Sequence, residues 1–244
     1  MKKQILVVMM LMCVITASAQ DEKKKILDVN ADFMSRFIWR GMNVSHVPNI
    51  QPNLCYNSSF GLKVGAWASA AVTGDYAEVD LYGAYSLKGF SLTVTDYFIA
   101  DETKEFNKYF NCKNESTGHM VEAALAYDGP EKFPIHLMAG TFVYGADKTA
   151  DVIVIDTVTS DTTTTFKNQY STYFELGYTV RNVNIFVGIT PQKGMYGNTF
   201  GVVNAGITAK RDIRITDKFT LPVQASLITN PQKGNIYLVF GFSL

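Results

Sequence analysis

Between Leu27 and Arg40 the chain alternates at almost every position. Leu27, Val29, Ala31, Phe33, Ser35, Phe37 and Trp39 fall on one face, and Asp28, Asn30, Asp32, Met34, Arg36, Ile38 and Arg40 fall on the other. A helix would scatter these charges around its circumference, whereas a period of two gathers them on one side of a strand. The pattern predicts a first strand that runs to Gly41 with Phe37 and Trp39 on its apolar face, then a loop from Asn43 to Pro52.

From there the chain reads as strands and turns. Asn53 to Ser59 and Leu62 to Val72 are the second and third strands, with Leu62, Val64, Ala66, Ala68 and Ala70 on one face of the third. In the fourth, Ala77, Val79, Leu81, Gly83, Tyr85 and Leu87 oppose Tyr76, Glu78, Asp80, Tyr82 and Ser86. Lys88-Gly89 turns it into the fifth, Phe90 to Ala100, where Asp96 interrupts the apolar face and predicts a bulge or an interfacial position. Further strands follow over His119 to Tyr127, Ile135 to Tyr144, Tyr170 to Val180, Val183 to Thr190, Thr199 to Ile215 and Phe219 to Ile228. A β-branched, Thr-rich stretch between Gly145 and Asn168 reads as a hairpin standing apart from them. The last strand sets Ile236, Leu238, Phe240, Phe242 and Leu244 against Tyr237, Val239, Gly241 and Ser243.

The strands number twelve, and their connections alternate in length. Those near Phe60, at Lys88-Gly89, Gly129 to Pro134, Arg181-Asn182 and Thr216 to Lys218 are short. The longest, 41–52, 101–118 and 145–168, all fall on the other side, where the tight turn Thr73 to Asp75 is the one exception. An even strand count with short turns at one end and long loops at the other is the pattern of a bacterial outer-membrane barrel. An apolar last strand would be an aggregation hazard as an edge in water, but it is stable if it closes a barrel against the first strand and faces lipid. The expected fold is therefore all-β: a single closed antiparallel transmembrane barrel in the outer membrane of a Gram-negative bacterium. Outer-membrane lipid is its expected surroundings, and the C-terminal strand its expected contact with the barrel-assembly machinery.

Residues 1–19 read as a signal peptide and residues 20–244 as the barrel domain. Lys2 and Lys3 precede an apolar run from Ile5 to Thr16, and Ala17-Ser18-Ala19 forms an A-x-A cleavage site. The run is shorter than the roughly 20 residues a spanning helix needs. Without Lys2 and Lys3, 20 basic residues face 22 acidic ones, a balance that argues against a nucleic-acid partner. Export permits a disulfide between Cys55 and Cys112 without implying one.

The segment Asp32-Phe33-Met34-Ser35-Arg36-Phe37-Ile38-Trp39-Arg40-Gly41 resembles the opening strand of the TorF-type porins, with its aromatic-Arg-Gly ending. Phe60-Gly61, Gly65 to Ser69 and Glu78 to Tyr82 are similar to that family's next hairpins. The likeness covers about the first third of the mature chain and the general form of the last strand. It implies an outer-membrane barrel, and pore function only as far as the family's name records an inferred activity.

The face assignment sends Asp28, Asp32, Arg36, Arg40, Lys63, Glu78, Asp80, Glu122 and Glu175 into the lumen, an excess of acid over base. Such charges serve either as a selectivity lining or as filler that pairs across a narrow barrel, and the two readings weigh equally. The histidines, His46, His119 and His136, show no spacing to a serine nucleophile, and no phosphate loop, Cys/His cluster or metal-spaced carboxylate pair appears. No catalytic, cofactor or metal residue is expected. The functional expectation is a passive channel for small hydrophilic solutes with a mild cation preference. The alternatives are a non-conducting structural or adhesin-like barrel and, behind it, an outer-membrane hydrolase.

Overall fold

The computed structural model describes residues 26–101, 103, 107–155 and 162–244. The expected signal peptide lies outside these residues. The strands in chain order are β1 (Leu27–Met34), β2 (Phe37–Trp39), β3 (Met42–Ser45), β4 (Asn49–Asn57), β5 (Leu62–Ala71), β6 (Ala77–Leu87), β7 (Phe90–Ala100) and β8 (His119–Asp128). They continue with β9 (Ile135–Gly145), β10 (Lys148–Ile155), β11 (Thr162–Asn168), β12 (Thr172–Val180), β13 (Val183–Thr190), β14 (Gly201–Thr216), β15 (Phe219–Asn230) and β16 (Asn235–Ser243). Twelve of them form one closed antiparallel barrel in the order β1-β16-β15-β14-β13-β12-β9-β8-β7-β6-β5-β4, while β2-β3 and β10-β11 are separate two-stranded hairpins. No α-helix occurs among the described residues.

Closure is made where β1 meets β16. Asp32, Phe33 and Met34 lie opposite Ser243, Phe242 and Gly241. Ala31 and Leu244 exchange both backbone hydrogen bonds at 3.0 Å, and the rings of Phe33 and Phe242 stack with centroids 4.8 Å apart. Every barrel strand thus has two neighbours, which leaves no open edge to pair with another chain or to lie unsatisfied in lipid.

The period of two sorts the walls. On β16 Leu238 and Phe240 are 65% and 63% exposed, whereas Tyr237 and Val239 are 9% and 3% exposed. Val79, Leu81, Leu125, Leu176 and Val187 continue the outer apolar surface, and Glu78, Asp80 and Glu122 are buried within. Connections at one end are short: 58–61, 88–89, 129–134, 181–182 and 217–218. At the other end they span 35–48, 72–76, 101–118, 146–171, 191–200 and 231–234.

Three local expectations are corrected. The first strand ends at Met34 and not at Gly41, and Phe37 to Ser45 folds back on itself as β2-β3. Trp39 pairs with Met42 across a two-residue turn in which Arg40 and Gly41 have φ of 48° and 77°, the left-handed pair a tight hairpin requires. Phe37 and Trp39 consequently do not face outward. Phe37 packs on Trp67 and Tyr76, and Trp39 on Tyr97, Phe142 and Tyr196.

The second correction is that β4 starts at Asn49, inside the expected loop. Its pairing with β5 runs through Asn49-Ile50 and Asn53 to Asn57 and leaves a gap over Pro52, which has no N–H for the ladder. Third, of the bulge or interfacial position expected at Asp96, the bulge is absent: β7 is regular there, in register with both neighbours. Its carboxylate instead meets His119 Nδ1 at 2.8 Å, and His119 Nε2 lies 2.5 Å from the Tyr109 carbonyl. Tyr109 is thereby latched over the outer phase of the wall, where its ring shares contacts with Phe98 and His119.

Candidate functional site

The hairpin β2-β3 is folded into the long-loop end of the barrel, and its tip carries the site. At the tip, a Cβ on Gly41 would stand 2.0 Å from the Val203 carbonyl oxygen, so only glycine allows this approach. Val203 is an extra residue in β14: Val202 lies opposite Ile189 and Asn204 opposite Gly188, and the intervening valine bulges into the lumen. Asn230, fully buried at the end of β15, donates from Nδ2 to the Gly41 carbonyl at 3.2 Å. The tip is held at two points, by β14 and β15.

Arg40 then projects onto Glu122 of β8. Its two terminal nitrogens donate to the two carboxylate oxygens at 2.5 and 2.8 Å, a bidentate fork. The same guanidinium donates to the Tyr196 hydroxyl at 2.5 Å and lies over the rings of Trp39, Tyr173 and Tyr196 at 4.6, 4.8 and 5.6 Å. Tyr97 donates to Glu122 Oε2 at 3.1 Å. Room for the carboxylate comes from the next strand, since a Cβ on Gly140 would sit 2.6 Å from Glu122 Oε1.

Burial opposes the Arg40 charge, but the hydrogen bond to Glu122 and the field of Glu122, Tyr196 and Tyr97 outweigh it and raise its pKa above the ordinary value. Burial pushes the Tyr196 phenol above its usual range against the pull of Arg40, so it stays a neutral donor and acceptor. The surrounding side chains exclude water: Tyr173, Tyr196 and Val203 are 0% exposed and Phe142 is 1% exposed, with Met42, Met120, Met138 and Met195 packed against them.

A second inward group lines β4, β5 and β6. Glu78 and Asp80 lie two positions apart on the inner face, opposite Ser69 and Trp67, and Tyr76 donates to Glu78 at 2.6 Å. Glu175 accepts from Tyr173 at 2.5 Å, and Asp32 accepts from Ser243 at 2.5 Å. Arg36 is half-buried in the link between β1 and β2. Asp28 and Lys63 are at the opposite, short-turn end, facing Cys55 and Asn57 respectively. Cys55 and Cys112 are both free. Of the nine candidate lumen residues, the fold therefore joins Arg40 to Glu122 and sets Glu78 beside Asp80, and it leaves Asp28 and Lys63 far from both.

The aromatic partners lie outside the nine candidate positions. Tyr97 and Tyr173 occupy inward positions of their strands, a signal available from the alternation itself. Tyr196 comes from an irregular loop and gives no such signal. His136 lies 2.7 Å from Asp128 near the short turns. Among the described residues no group of three His, Cys, Asp or Glu side chains is arranged to hold a metal.

No family model matches the chain, and no curated protein matches it. Among solved structures, the crystal structure of BamA from Haemophilus ducreyi lacking POTRA domains 1–3 is similar at 12% identity and a TM-score of 0.41. The match covers 84% of this chain and 41% of that chain. It concerns the outer-membrane-type barrel fold alone.

Proposed function

We propose that this protein is a porin-like barrel of the Gram-negative outer membrane whose lumen is held shut by β2-β3, and that small hydrophilic solutes pass only when the hairpin leaves its seat. The observation that carries this reading is the Arg40–Glu122 fork, buried under rings contributed by three barrel strands, the hairpin and a loop. A twelve-stranded barrel lies between sizes that side chains fill and sizes that leave a channel, and here a foreign segment does the filling. The lipid-side apolar wall and the loop asymmetry support the outer-membrane setting. The likeness of the Trp39-Arg40-Gly41 ending to the TorF-type porins supports the pore class. The apolar outer face of β16 supports recognition by the barrel-assembly machinery.

Planar-bilayer recording tests the reading. The intact chain should show little steady conductance, and a variant with 36–47 replaced by a short Gly-Ser turn should conduct with a cation preference that falls on Glu78→Gln/Asp80→Asn. A shortened barrel that inserts and never conducts would favour the second reading, a non-conducting barrel whose loop-end hairpin β10-β11 binds something outside. Steady conductance of the intact chain equal to that of the shortened one would refute occlusion.

A further inference from the structure

We propose that the Glu122 cage is a binding site for guanidinium-bearing solutes, which the chain fills with its own Arg40. The contacts are those that recognise a guanidinium as a ligand. Two parallel N–H donors meet two carboxylate oxygens, a phenol oxygen accepts a further bond, and three ring faces cover the planar cation. None of these contacts depends on the guanidinium being tethered to the chain.

The seat is also built without the hairpin. Glu122 stands on β8, Tyr97 on β7, Tyr173 on β12 and Tyr196 in the 191–200 connection, and Gly140 of β9 leaves the space the carboxylate occupies. Only Trp39 and Arg40 arrive on β2-β3. Two of the three tyrosines are themselves positioned from the walls: Asn204 donates to the Tyr173 hydroxyl at 2.9 Å, and Tyr97 donates to Glu122.

Filling alone does not account for this arrangement. A buried ion pair gains little over well-packed apolar side chains of equal volume, so a plug selected only to fill the lumen has no need of one. A carboxylate cage that accepts a guanidinium and can release it does need one. A short tether presents Arg40 at an effective concentration on the order of millimolar, so a free competitor must reach that range before it displaces the hairpin. The site does not require the barrel to conduct, and its failure is therefore separable from failure of the channel reading.

The test uses the refolded full chain in detergent with Trp67→Phe, which leaves Trp39 beside the cage as the lone tryptophan. In an Arg40→Ala variant, methylguanidinium and L-arginine should change Trp39 emission saturably at matched ionic strength, with at least tenfold higher affinity than in the parent. L-citrulline, a neutral isostere of arginine, should give no such response. Adding Glu122→Gln should abolish it. No saturable response in a barrel whose heat-modifiable migration shows it folded, a response that survives Glu122→Gln, or equal responses to arginine and citrulline would each overturn the site. If Arg40→Ala does not fold, the parent chain decides. Arginine at tens of millimolar should open Trp39 to acrylamide quenching more than citrulline does, and equal quenching would overturn the proposal.

Discussion

Replacing Arg40 by Met removes one member of a buried pair and leaves the other in place. Glu122 would lose both forked hydrogen bonds and keep the Tyr97 hydroxyl at 3.1 Å and the Tyr196 hydroxyl at 3.5 Å. Breaking a buried pair costs about 3–5 kcal/mol, and the two remaining phenols place this case near the lower end, about 3 kcal/mol. With an unfolding slope of roughly 2 kcal/mol per molar urea, the midpoint should fall by about 1.5 M. A second route limits the loss. The hairpin can leave its seat and admit water to Glu122, and the cost is then capped at the free energy that seats the hairpin. Trp39 reports which route is taken, because its emission shifts to the red only if it becomes hydrated. The double variant Arg40→Met/Glu122→Met buries no charge and should recover most of the loss. Urea titration in detergent, read in the Trp67→Phe background by Trp39 emission and by heat-modifiable migration, measures all three chains. A single variant as stable as the parent with unchanged emission would refute the buried-pair argument, and so would a double variant as damaged as the single one.

Other outcomes follow from the same geometry. Gly41→Ala combines a left-handed φ with a Cβ 2.0 Å from the Val203 oxygen, so it should unseat the hairpin and raise conductance while the barrel still migrates as folded. Leu176 faces outward between Val187 and Leu137, and Leu176→Arg should cost roughly 2–4 kcal/mol in lipid if it lies near the midplane. Glu78→Gln, on the inner wall, should leave the yield of folded barrel nearly unchanged, and equal sensitivity of the two would mean the register is wrong. His119→Leu removes the contact with the Tyr109 carbonyl and should speed tryptic cleavage after Lys108 and Lys113, with the strands still protected.

The barrel was largely legible in the chain because period two is a strong signal where one face meets lipid. Leu238 and Phe240 against Tyr237 and Val239, or Val79 and Leu81 against Glu78 and Asp80, can be sorted with no knowledge of partners. The same signal failed at Phe37 and Trp39. Alternation persists through β2, so nothing in the period marks the break at Met34 or tells which sheet the next residues join. The hairpin turn was equally hidden, since Arg40 takes a left-handed φ that the usual turn residues, Asn or Asp, would have announced. The meeting of Arg40 with Glu122 spans 82 positions of sequence and depends on a bulge at Val203 that no local pattern specifies. Asp96 was visible as an anomaly, but its explanation lay in a histidine that closes a loop across the wall.

The position of Trp39 tests the central claim most directly, because the alternation pattern and the folded chain assign it opposite surroundings. In the Trp67→Phe background reconstituted into bilayers, lipids brominated along the acyl chain quench a tryptophan that faces them. The account predicts that Trp39 emission stays blue and almost unquenched at every bromine depth, as befits a ring packed among Tyr97, Phe142 and Tyr196 inside the barrel. Strong quenching with a maximum at one depth would put Trp39 on the lipid face, extend the first strand to Gly41 and leave the lumen without its plug.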